Sequence, residues 1–212
     1  MNNEPNEGIR VLALSVSVVF SLFFCIVAFL MSNSMLIAFD MAMIAFIQGL
    51  EHPFLTSIMK AFTTMGSFRV MTIIALGAIY FLYKRLHHRM ELLLFTGVII
   101  GSSLLNILLK MLFQRERPSL HLLIQETGYS FPSGHSMSAF SLYATLAFLL
   151  WRHVPTRSGR TWLVIGGSIT ILFIGISRIY LGVHYPSDVV GAYFASGFWV
   201  ALSIWCFLYF KA

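Results

Sequence analysis

Residues 177–211 read SRIYLGVHYPSDVVGAYFASGFWVALSIWCFLYFK. After Asp188 no charged residue occurs until Lys211. A helix needs about 20 apolar residues to cross a bilayer, and this run supplies them. Directly in front of it stand Arg178, His184 and Asp188. Ionisable side chains at the edge of hydrocarbon are costly, and they mark function. The stretch therefore decides two things together. The chain is built from membrane helices, and its chemistry sits at their polar ends.

Working outward, the same pattern recurs. Of 212 residues, 58% are hydrophobic and 10% charged, against about 25% charged in an ordinary soluble domain. Mean hydropathy is +0.83. Spans are expected over 11–31, 69–83 (starting a few residues earlier), 90–113, 136–151, 162–176 and 188–210. The fold class is thus all-α, polytopic, with six transmembrane helices in a single domain over 1–212. Glu4 and Glu7 precede the first span and no clear small-residue cleavage site follows it, so that span is read as retained. Residues 35–65 are apolar but interrupted by Asp40, Glu51, His52, Pro53 and Lys60. They are expected to form two short interfacial helices. Such helices either pack one face for stability or rim a lipid site, and packing is the commoner use.

The net charge of +6 is scattered through short loops. It reads as a topology signal, not a nucleic-acid groove. Lys84, Arg85, Arg89, Arg152, Arg157 and Arg160 lie in two of the loops. The positive-inside rule makes those loops cytoplasmic, with both termini. His87, His88 and His153 are read as surface groups beside them. Cys25 and Cys206 lie within apolar runs and are read as packing residues. Gly166, Gly167 and Gly175 are expected to allow close helix packing.

Three motifs carry the chemistry: Lys110 with Arg117-Pro118, then Pro132-Ser133-Gly134-His135, then Ser177-Arg178 with His184 and Asp188. Two spans separate the second motif from the third, so all three must face one side of the membrane. Asp188 can reach back to one ring nitrogen of His184, fixing its tautomer. The free nitrogen is then a nucleophile, although a structural His–Asp pair would look the same. Ser133 suits a helix N-cap, and the helix start with its backbone N–H groups attracts an anion. Glycine at 134 lets a ligand approach the backbone closely. His135 can protonate a leaving alkoxide, although a capped helix with an interfacial histidine is the plainer reading of that motif alone. Lys110, Arg117 and Arg178 suit a phosphate clamp. Arg115 lacks a motif position and is read as a surface charge. His121 and Glu126 are read as solvated loop residues. No metal-ligand pattern is evident, so no metal or other cofactor is expected.

The pattern KxxxxxxRP, PSGH, SRxxxxxHxxxD resembles the type 2 phosphatidic acid phosphatase superfamily. Eleven fixed identities occur in the family order. The resemblance implies a helical core and a phosphohistidine mechanism. Residues matching His184, Asp188 and His135 would be nucleophile, activator and leaving-group acid. Those matching Lys110, Arg117, Ser133, Gly134 and Arg178 would hold the phosphate. It also implies a bacterial cell-membrane enzyme with an outward-facing site. The substrate would be undecaprenyl diphosphate, phosphatidylglycerophosphate or phosphatidate, and no nucleic acid would be involved. A phosphotransferase, or a transporter that binds lipid phosphate without cleaving it, is the alternative that the residues leave open.

Overall fold

The computed structural model describes residues 4–86, 89–119, 121–151 and 153–211. The expectations for His87, His88 and Arg152 lie outside the described residues. Among the described residues eight helices follow in order: α1 (Glu4–Ser32), α2 (Ile37–Gln48), α3 (Pro53–Met65), α4 (Phe68–Leu86), α5 (Arg89–Phe113), α6 (Gly134–Trp151), α7 (Arg157–Tyr180) and α8 (Pro186–Lys211). Every expected span coincides with one helix, and the interrupted stretch forms α2 and α3.

The six-span expectation is met in part. On length and apolarity, four helices among the described residues could each cross a membrane: Glu7–Ser32, Met90–Phe113, Arg157–Tyr180 and Pro186–Phe210. Pro53–Met65 and Phe68–Lys84 qualify only as a pair bent by 52°. α6 falls outside this set. It opens on Gly-His-Ser and carries Ser136, Ser141 and Thr145 fully buried. Its polar groups face neighbouring helices rather than lipid.

α6 occupies the middle of the bundle, packed on α5, α7 and α8, while α1 lies along α8. Phe95, Val98, Ala139, Leu142 and Ile174 form the buried core. Outside it, Phe29, Ile73, Leu93 and Trp162 are each more than 60% exposed. An apolar exterior of this kind is a lipid-facing surface. Lipid is as apolar as leucine, so helix association there depends on close packing and buried hydrogen bonds. Gly175 supplies the first, because the Tyr193 hydroxyl occupies the place a Cβ would take. That hydroxyl donates to Ile171 O at 2.8 Å. Ser141 Oγ to Ser102 Oγ, 2.8 Å, supplies the second between α6 and α5. The close-packing expectation fails at Gly166, where a Cβ would meet open space. Cys25 is exposed and Cys206 half-buried, both as free thiols.

The chain turns sharply at both polar connections. Gln114 adopts φ 44°, ending α5 just after Lys110. Gly182 adopts φ 80° after α7, a conformation glycine takes without steric cost. These turns send residues 114–133 and 181–185 across the same end of the bundle. Leu123 N bonds to Leu181 O at 3.1 Å, and Ser133 N to Asp188 O at 3.1 Å. At the other end Arg10 lies over the Tyr209 ring and Arg160 over Trp151.

Candidate active site

The third motif is built by two helix ends. α7 stops at Tyr180, and Arg178 O accepts both Val183 N (3.2 Å) and His184 N (3.3 Å). This wraps the connection around the helix end and buries the His184 ring. Proline at 186 opens α8, where its missing N–H costs nothing. Asp188 sits in the first turn, and its Oδ2 accepts Tyr185 N at 2.9 Å. It thus caps the helix, as half of a capping box does. Asp188 thus caps the helix and meets the His184 ring with the same oxygen.

His184 Nδ1 lies 3.4 Å from Asp188 Oδ2 and 3.2 Å from Ser130 Oγ. The Ser130 hydroxyl donates in turn to Asp188 Oδ2. With its only proton committed to the carboxylate, Ser130 can only accept from the ring. This network assigns the proton to Nδ1 and leaves Nε2 bare. Burial is the main influence on His184 and lowers its pKa to about 4, against the raising effect of Asp188. The carboxylate orients the ring, but burial decides that the ring is neutral.

One cation faces this ring directly. Arg117 Nη1 faces His184 Nε2 at 3.2 Å and donates to Val183 O at 2.8 Å. Its Nε and Nη2 donate to Gly128 O (3.0 Å) and Thr127 O (3.1 Å). Burial lowers its pKa from the ordinary guanidinium value, with Glu126 and Asp188 opposing. Lys110 Nζ donates to Tyr129 O. Arg178 is buried on α7, donating to Thr63 Oγ1 and to Glu126 Oε1, the latter at 2.7 Å. Its buried Nε has no hydrogen-bond partner among the described residues.

His135 stands in the first turn of α6, against Gly66 at the α3–α4 bend. Arg178, Glu126, Arg117 and the His184 ring all lie close enough to act on it electrostatically. The two histidines thus share one electrostatic environment. Ser133 is fully buried, and its carbonyl receives Met137 N at 3.0 Å, the first helical bond. Its hydroxyl accepts from Ser136 Oγ at 3.0 Å. Gly134 faces Asn106, whose Oδ1 would lie 3.2 Å from an added Cβ. Its smallness therefore serves packing against α5 as well as ligand approach. All eight residues singled out in the sequence lie at this end of the bundle.

Two expectations are corrected. Arg115 is no surface charge. Its side chain is 13% exposed and pairs with Asp40 Oδ2 and Asp188 Oδ1, each at 2.7 Å. Glu126 is not merely solvated. It pairs with Arg178, and Arg117 lies 4.0 Å away. Burial would raise the Glu126 pKa, but Arg178 outweighs it and the carboxyl is held low. His121 remains exposed as expected, paired with Glu51 at 2.7 Å. Ser130 is not singled out by the sequence, and Asp40 only as a charge interrupting residues 35–65. Asp40 had a signal, as the one charge in an otherwise apolar helix. Ser130 had none.

A buried neutral imidazole, a carboxylate on one nitrogen, a guanidinium facing the other and two further cations at the same end fit attack on a phosphoryl group, which chiefly requires positioning and charge stabilisation. Among the described residues no group of three or more His, Cys, Asp or Glu side chains is placed to hold a metal ion. Residues 91–212 match the family described as the PAP2 superfamily. The chain belongs to that superfamily. Phosphatidylglycerophosphatase B of Bacillus subtilis is 38% identical over 148 residues, covering 68% of this chain and 71% of its own length. A crystal structure of a transmembrane PAP2-type phosphatidylglycerolphosphate phosphatase from the same organism superposes with TM-score 0.80 at 30% identity. It covers 89% of this chain and 94% of that one. An undecaprenyl-diphosphatase of Sulfolobus acidocaldarius is 33% identical over 89 residues, covering 42% of this chain and 38% of its own length. The chain is a PAP2 phosphatase of the membrane, and these relatives are named for lipid-phosphate substrates.

Proposed function

We propose that this phosphatase cleaves the terminal phosphate of phosphatidylglycerophosphate through a phosphohistidine on His184, without a metal, at the outer face of a bacterial cell membrane crossed six times. The arrangement that carries the mechanism is the bare Nε2 of His184, backed by Asp188 and Ser130 and faced by Arg117. The phosphate would take the place of the backbone carbonyls now bonded by Lys110 and Arg117, and of Glu126 on Arg178. Buried Arg178 Nε has a donor to spare for it. Ser133, Gly134 and the N-terminus of α6 add hydroxyl and backbone donors. His184 Nε2 attacks phosphorus, and His135 gives a proton to the departing glycerol oxygen. His135, now a base, takes a proton from water, which cleaves the P–N bond and frees His184. Binding alone would not need the Ser130–Asp188 backing of His184, which favours hydrolysis over carriage.

Substrate choice rests on the relatives, of which the phosphatidylglycerophosphatase covers the larger share of the chain. Purified protein mixed with phosphatidylglycerophosphate radiolabelled in its terminal phosphate, then quenched in alkali, should carry an acid-labile, alkali-stable label. His184→Ala should carry none and lose turnover by roughly 1,000-fold or more, as expected for loss of a nucleophile. Turnover by that variant at the parent rate would overturn the mechanism. Undecaprenyl diphosphate hydrolysed much faster than phosphatidylglycerophosphate would overturn the substrate.

A further inference from the structure

A charged pair lies behind the nucleophile, on the side away from the phosphate clamp. Asp40 enters from α2, a helix outside the matched family region of 91–212. Its carboxylate is fully buried. Oδ1 accepts Ser187 N at 2.9 Å and Oδ2 accepts Ser187 Oγ at 2.6 Å. Ser187 N is one of the first N–H groups of α8, which have no partner within their own helix. Asp40 therefore caps α8 from a distant element. It also receives Arg115 Nη2 at 2.7 Å. The same guanidinium turns Nη1 to Asp188 Oδ1, again at 2.7 Å, and lies 3.9 Å above the Tyr185 ring.

The fork divides the work of Asp188. Its Oδ1 is held by Arg115, which leaves Oδ2 to Ser130, His184 Nδ1 and Tyr185 N. A buried charge persists only when it is paired and hydrogen-bonded, and here one guanidinium is shared between two buried carboxylates. A lysine has no such fork.

We propose that Asp40 and Arg115 are a positioning pair, which fixes the orientation and the effective charge of Asp188 and through it presents His184 for attack. The inference rests on the nucleophile reading above. Neither residue touches the phosphate. Asp40 acts on Arg115, Arg115 on Asp188, and Asp188 on the ring.

The signs are distinctive. Asp188 raises the proton affinity of His184. The other charged or titratable groups acting on this ring are Arg117 from the 114–133 connection, Arg178 from α7 and His135 from α6. Lys110 of α5 acts on Asp188. All of them stay in place when the pair is altered. Removing the Arg115 charge leaves Asp188 less compensated, so His184 should bind a proton more readily. Removing the Asp40 charge lets Arg115 compensate Asp188 more fully, so His184 should bind it less readily.

The test uses detergent-purified full-length protein and short-chain phosphatidylglycerophosphate. Asp40→Asn keeps an oxygen for Ser187 N–H, and Arg115→Gln keeps polarity without charge. Each should lower kcat by about 10–100-fold, the usual effect of losing a group that orients a reacting one, with KM within about twofold. The acidic limb of the kcat/KM profile should move to lower pH in Asp40→Asn and to higher pH in Arg115→Gln. Arg115→Lys, carried alongside in case either variant fails to fold, should be slow while unfolding close to the parent temperature. Folded variants with parental kcat, or losses with both pH limbs unmoved, would overturn the pairing. Turnover by the parent, with its label on His184, separates that failure from failure of the nucleophile reading.

Discussion

At the scale of single residues, His184 decides how the protein responds to acid. Its ring is buried and its pKa is lowered from 6.5 to about 4, chiefly by that burial. The folded state therefore binds a proton less readily than the unfolded chain. Stability from this group is complete above about pH 6.5 and is lost as pH falls towards about 4. The unfolding temperature of the detergent-solubilised protein should fall over that window. His184→Asn, which cannot titrate there, should flatten part of the slope. A parent protein that grows more stable on acidification would contradict a neutral buried ring. The residue scale also shows what sequence spacing could reach. Lys110, Arg117, His135, Arg178, His184 and Asp188 stand in short motifs with fixed gaps. Arg115 is bound to partners 75 and 73 positions away, and local reading has no access to those distances. One local clue existed. Arg115 and Arg117 lie two apart in a stretch outside any helix, and residues two apart in extended chain share a face.

At the scale of elements, each helix was legible from its apolar run, but the use of α2 and α3 was not. Apolarity places them near the membrane without saying what they touch. The structure ties them to the site. Gln48 at the end of α2 donates to His121 O (2.9 Å) and Tyr180 O (3.2 Å). Tyr180 Oη meets Thr56 of α3 at 2.8 Å. Thr63 of α3 receives Arg178. These are packing elements, and their packing holds Arg178 and the connection after α7 in place. The α3–α4 bend shows how tightly. Gly66 has an ordinary helical φ of −80°, so its need is for space. A Cβ there would lie 2.7 Å from Ile174 Cγ2 and 3.2 Å from His135 Cδ2. Ile174 is fully buried and has little room to yield. Gly66→Ala should cost about 1–3 kcal/mol in stability, as overpacking does. It should also lower kcat through displacement of His135. Adding Ile174→Ala, which removes the clashing methyl, should return part of the activity, and a double-mutant cycle measures that coupling. Strict additivity of the two changes would show that they do not meet.

At the scale of the whole molecule, the bundle has two chemically different ends. One carries the cations, carboxylates and histidines of the site. The other brings together Arg10, Trp151, Arg160 and Tyr209, with Lys84 in the last turn of α4 and Arg157 in the first turn of α7. Aromatic rings beside basic groups are characteristic of a membrane–water interface, and lysine and arginine in short loops collect on the cytoplasmic side. The site end holds cations too, yet its two arginines on the 114–119 stretch and Arg178 are each paired or bonded within the fold. They are committed to bonds within the fold, so they do not offset the topology signal of the free loops. The site should therefore face outward, with both termini inside. Cysteine labelling on intact cells tests this, in a background where Cys25 and Cys206 are serine. Gln125 and Ser158 are both exposed, one at each end. Gln125→Cys should react with a membrane-impermeant maleimide before permeabilisation, and Ser158→Cys only afterwards. The reverse order would turn the enzyme over, placing its product in the inner leaflet and obliging its substrate to be made there. Labelling of both positions from outside would mean an even number of crossings between them, which a single passage of α6, the one helix between residues 125 and 158, forbids. Such a result would show that α6, the helix with the polar first turn, does not traverse the bilayer.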